Sequence, residues 1–146
     1  MDGGPMKKQR CHPGQSLVEF ALLFPLALLL ITGFLDLGRA IFYYSSLTNA
    51  VREAARYAIV HKDLDDDDIK DKVLEYAFAL KDTPYPLDPN KIDITYPTVE
   101  NETNITISIK ATYTYKPITP GITLILGSPG IDLVAQSTMR IAGAAR

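Results

Sequence analysis

One carboxylate and the glycine five residues before it carry the chemistry that this sequence offers. Gly14-Gln15-Ser16-Leu17-Val18-Glu19 ends a short basic leader and opens onto an uncharged run, Phe20–Leu35. A lone carboxylate at the edge of hydrocarbon is costly unless something pairs with it. Cleavage after Gly14 would create a new amino group at Gln15. That amine, on the same chain or a neighbouring one, could neutralise Glu19. Gly14 and Gln15 are therefore candidate processing residues, and Glu19 is a candidate assembly signal.

No catalytic constellation accompanies them. The two histidines are His12, in the leader, and His61, beside an acidic turn. There is no glycine-rich phosphate loop, no metal-ligand quartet and no Ser-His-Asp set with a usable histidine. The sequence calls for no cofactor and no metal, and an enzyme is not expected. Asp63, Asp65 and Asp67 alternate as calcium ligands do, but the position that needs glycine is Asp68 and the twelfth position is Leu74. A solvated turn that sets carboxylates at the positive end of the next helix explains these residues better. The single Cys11 lies in the leader, so a processed chain would hold no thiol. The leader carries Lys7, Lys8 and Arg10 against Asp2, while the whole chain has a net charge of −2. The body is therefore mildly acidic, which argues against nucleic-acid binding.

These residues must be positioned by a membrane-length helix. Phe20–Leu35 alone spans roughly 24 Å, and adding Leu17 and Val18 approaches the roughly 30 Å of a bilayer's hydrocarbon. A removed secretory signal would need a small-x-small site after the apolar run, and residues 31–40 offer only a poor one. The leading Lys7, Lys8 and Arg10 put the N-terminus in the cytoplasm and the bulk of the chain outside the inner membrane. Pro25 either kinks the helix or is simply tolerated within lipid.

Beyond Leu35 the pattern becomes amphipathic, with Ile41, Tyr44, Thr48, Val51, Ala55 and Ala58 at spacings of three and four. The spacing predicts one helix from about Gln15 to about Val60. Its small residues either pack under the chain's own sheet or form a seam between subunits. Asp36 and Arg39 could pair across one turn.

At this point three motifs combine. They are Gly14-Gln15-Ser16-Leu17-Val18-Glu19-Phe20-Ala21-Leu22 with Pro25, then Gly33-Phe34-Leu35-Asp36-Leu37-Gly38-Arg39-Ala40, then Thr48-Asn49-Ala50-Val51-Arg52-Glu53-Ala54-Ala55-Arg56-Tyr57-Ala58. Together they resemble the TadE-like family, pseudopilin-like proteins of tight-adherence (Flp) pilus systems. The resemblance covers about 45 residues, and the C-terminal part shares only general character with the family. It implies Gly14 as the residue before the cut, Gln15 as the new N-terminus and Glu19 as the signal carboxylate. It also implies a prepilin peptidase, other pilin-like subunits and pilus secretion machinery as partners. A stably anchored binding or sensing module that never polymerises is the alternative.

The rest of the chain predicts a small outer domain. Ile69, Val73, Tyr76, Ala77 and Leu80 mark a second helix, ended by the proline-rich residues 83–90. Three runs alternate with period two, beginning at Ile92, Ile105 and Ile131, as half-buried antiparallel strands do. The expected fold is α+β: a long transmembrane and amphipathic helix, and a second helix on a pilin-like antiparallel sheet of about three strands. The expected organisation is a leader at 1–14, a transmembrane segment at 15–37 and an extracytoplasmic domain at 38–146. Between the last two strands, residues 116–130 hold the apolar patch Ile122, Leu124, Ile125 and Leu126. It either covers the domain's own core or contacts a partner subunit or the outer leaflet.

Overall fold

A computed structural model describes residues 13–61, 64–96, 105–119, 122, 127 and 129–141. Helix α1 runs unbroken over Pro13–Val60, close to the predicted limits. Pro25 lies inside it and supplies no amide hydrogen to the carbonyl of Ala21, yet the helix continues. Residues 14–31 of α1 are exposed on every side, and the helix is long and apolar enough to cross a membrane. The second half buries one stripe: Leu47, Ala50, Val51, Ala54, Ala55 and Ala58, with Ala40 and Tyr43 packed at its edge. The small residues there lie against the chain's own domain, as the core reading expects.

The buried stripe is rotated from the predicted one. Val51, Ala55 and Ala58 are in the core, but Ile41 and Tyr44 face outward, 61% and 48% exposed. Around residue 40 the helix is apolar on several sides, so periodicity could not select the face. Tyr43 selects it, meeting Tyr113 edge-on at 5.8 Å and Tyr115 at 5.9 Å.

Helix α2 covers Asp66–Tyr76. Asp65 caps it, and Asp65 and Asp68 form a reciprocal capping box. Asp66, Asp67 and Asp68 fill its first turn, where the helix dipole favours negative charge. The predicted helix breaks at Ala77 and resumes as α3, Phe78–Lys81. No glycine or proline marks the break, so packing decides it. Ile69, Val73, Ala77 and Leu80 are all buried, as the pattern predicts.

A 3-10 turn at Pro89–Lys91 leads into β1, Ile92–Thr95. Strands β2, Ile105–Tyr115, and β3, Ile131–Ile141, complete an antiparallel sheet of order β1-β2-β3. In register, Ile94 faces Ile109, Ala111 faces Ala135, and Tyr115 faces Ile131. Ile107, Ile109, Ala111, Tyr113 and Tyr115 turn one face of β2 into the core beneath α1 and α2. The other face is polar. Ser108 Oγ shares a hydrogen with Thr138 Oγ1 at 3.0 Å and accepts from Gln136 Nε2 at 2.9 Å. Lys91 Nζ donates to Thr114 Oγ1, which donates to Asp132 Oδ1, both at 2.7 Å.

Candidate functional site

Gly14 and Gln15 stand in the first turn of α1. The first four amides of a helix have no intrahelical acceptor, so this turn is the easiest part of α1 to open. Gly14 is exposed, and a Cβ built on it would meet nothing within 4 Å. Glu19 is exposed one turn further on, and Gln15 Nε2 donates to its Oε1 at 3.4 Å. Gln15 and Glu19 thus share one side of the helix, at the spacing of four that brings side chains together. Residues 1–12 of the leader lie outside the described residues. So do Leu124, Ile125 and Leu126 of the apolar patch. Ile122 is half-buried, and its amide donates to the Thr119 carbonyl at 3.4 Å.

A second carboxylate is more strongly engaged. Asp36 is the first charged residue after the uncharged run and is only 5% exposed. Its Oδ1 accepts from the Tyr115 hydroxyl at 2.8 Å and from the Ile118 amide at 3.1 Å. Its Oδ2 accepts from the Ile118 amide at 3.0 Å and the Thr119 amide at 2.7 Å. The Tyr115 hydroxyl also reaches the Asp36 main-chain carbonyl at 3.1 Å. One carboxylate thereby ties α1 to the end of β2 and to the connection that follows it. Charge-assisted bonds of this kind are about twice as strong as neutral ones. Burial, then the bond to Asp36 and its charge, push the Tyr115 hydroxyl well above the usual phenol range. The Thr119 hydroxyl is buried beside these groups.

This latch replaces the expected Asp36–Arg39 pair. Ion pairs among the described residues join Glu53 to Arg56, Asp67 to Lys70 and Lys72 to Glu75. Arg39 is exposed, while the Asp36 side chain turns inward to the sheet. Sequence reasoning missed Tyr115, Ile118 and Thr119 as its partners. A signal was present. Asp36 is the one acidic residue between Glu19 and Glu53, beside an apolar run, and so needs donors for the same reason as Glu19.

The arrangement binds and positions; it does not assemble reacting groups. No cluster of three or more His, Cys, Asp or Glu among the described residues could hold a metal ion. His61 stacks on Tyr57 at 4.1 Å and turns its Nδ1 to the Tyr57 carbonyl.

No curated protein and no solved structure matches the chain. A family model described as TadE-like protein matches residues 14–56, from the candidate processing glycine through the latch to the buried stripe of α1. Over that segment the chain is similar to TadE-like proteins.

Proposed function

We propose that the protein is a membrane-anchored pseudopilin, or minor-pilin-like component, of tight-adherence pilus assembly or a related secretion system. It is a structural protein. A prepilin peptidase removes the leader after Gly14, and the mature chain begins at Gln15. Residues 15–37 span the inner membrane, with the N-terminus in the cytoplasm and residues 38–146 outside. Other pilin-like subunits and the secretion machinery are its partners.

The observation that carries this reading is the TadE-like match over residues 14–56. The shape of α1 supports it. Its apolar half is exposed among the described residues and suits lipid, while its distal half is built into the α+β domain. Glu19 then lies near the cytoplasmic boundary, within reach of a new amine at Gln15, where a charge-assisted contact offsets its desolvation.

Intact mass of the protein extracted from membranes tests the proposal. In cells with an active prepilin peptidase the main species should lack residues 1–14. Gly14→Ala should slow processing, and a bulky residue at 14 should stop it. A main species that keeps its original N-terminus would refute processing.

A further inference from the structure

We propose that the outer domain rests on the membrane, with Ile118 entering the headgroup layer of the outer leaflet beside Tyr85 and Lys116. The inference depends on the reading of α1 as a spanning helix and extends it to a second, loop-borne contact with lipid.

The latch sets the height of Ile118. Its amide is held by both oxygens of Asp36, at 3.1 and 3.0 Å. Leu17–Leu35 rises by about 28 Å, which fills the roughly 30 Å of hydrocarbon and leaves Asp36 at its outer rim. Ile118 is therefore fixed at the lipid boundary.

Its side chain nonetheless turns away from the protein and is 68% exposed. A single exposed isoleucine is ordinary on a surface that faces water. At this height it faces headgroups and acyl chains, as do Phe34, Leu35 and Leu37 on α1, all exposed.

The neighbouring residues have interfacial chemistry. Lys116 Nζ lies 3.7 Å from the centre of the Tyr85 ring, and Tyr85 is 51% exposed. Tyrosine collects at membrane–water boundaries, and lysine sends its ammonium to the phosphates while its stem stays in apolar surroundings. Arg39, exposed one turn above Asp36, adds a second cation at the same level. Asp132, on the same end of the sheet, is occupied by the Thr114 hydroxyl at 2.7 Å. The domain thus stands on the bilayer instead of swinging from a stalk, and leaving the membrane requires lifting this contact as well as extracting α1.

The chain has no tryptophan, so single-tryptophan reporters are clean. The full chain, carrying one reporter at a time, is reconstituted in phosphatidylcholine vesicles with lipids brominated near the headgroup or deep in the chains. Leu28→Trp reports the span, and Ile118→Trp and Tyr85→Trp report the contact. Val60→Trp, roughly 36 Å further along α1 than Asp36, reports the distal end. Shallow bromolipid should quench Ile118→Trp and Tyr85→Trp at least about twofold more than Val60→Trp, with less effect from deep bromolipid. Deep bromolipid should quench Leu28→Trp. If Leu28→Trp is quenched while both contact reporters match Val60→Trp, the contact is refuted and the spanning helix stands. If Leu28→Trp also escapes, the spanning reading falls and the contact with it. Shielding of Ile118→Trp only after other pilus subunits are added would assign the surface to protein and overturn the proposal.

Discussion

Replacing Asp36 by alanine should loosen the outer domain from α1. The substitution removes the acceptor for three donors: the Tyr115 hydroxyl and the amides of Ile118 and Thr119. Tyr115 and Thr119 are buried, so water does not replace the carboxylate there. Each stranded buried donor costs about 1–3 kcal/mol. The Thr119 amide is stranded and the Tyr115 hydroxyl keeps only its 3.1 Å contact with the residue-36 carbonyl, a loss of about 3 kcal/mol together, and the Ile118 amide, next to an exposed side chain, adds little. For a domain of about 100 residues that loss lowers Tm by roughly 12–24 °C. Near-UV circular dichroism of the full chain in detergent micelles reads it directly, because Tyr43, Tyr113 and Tyr115 form the ring cluster beside the latch. Tyr115→Phe strands no donor and should cost less, about 1–2 kcal/mol. The double variant should fall short of the sum, since each single change already breaks the shared bond. A Tm drop under about 4 °C for Asp36→Ala, or full additivity, would refute the latch.

Gly130→Ala should destabilise the start of β3 by about 1–3 kcal/mol. The new Cβ would lie 2.8 Å from both the Thr114 side chain and the Tyr115 carbonyl oxygen, and the latter is backbone that cannot swing away; thermal unfolding measures the loss. The Tyr96 hydroxyl donates to Asp66 Oδ1 at 2.7 Å, and burial followed by that bond pushes its pKa up to about 12. Its folded value lies above its unfolded one, so the stabilisation is complete below about pH 10 and fades as pH rises through about 12; Tyr96→Phe should flatten the alkaline limb of stability against pH in that window. Glu19→Ala should leave the near-UV spectrum and Tm of the outer domain unchanged but reduce recovery of partner subunits and pilus assembly. Normal assembly would make Glu19 a carboxylate that is merely solvated at the headgroups.

Sequence alone determined the elements of this protein. The limits of α1, the three strands and the inward face of β2 follow from local periodicity, which the backbone imposes within a few residues. The carboxylates at the start of α2 were equally legible, because they act on the helix's own first turn. The candidate processing residues needed only spacing, since Gly14, Gln15 and Glu19 sit within two turns of one helix. Tertiary structure decided what spacing cannot encode. Which side of α1 meets the sheet near residue 40 depends on Tyr43 finding Tyr113 and Tyr115, about 70 residues away in sequence. The break at Ala77 has no local breaker and follows from burying Ala77 and Leu80 together. Asp36 shows the limit most clearly. Its sequence context states that the carboxylate needs donors, but those donors lie 79, 82 and 83 residues along the chain. They are a tyrosine at a strand end and two backbone amides. Amides are the same at every residue, so only the packing of β2 against α1 could select them.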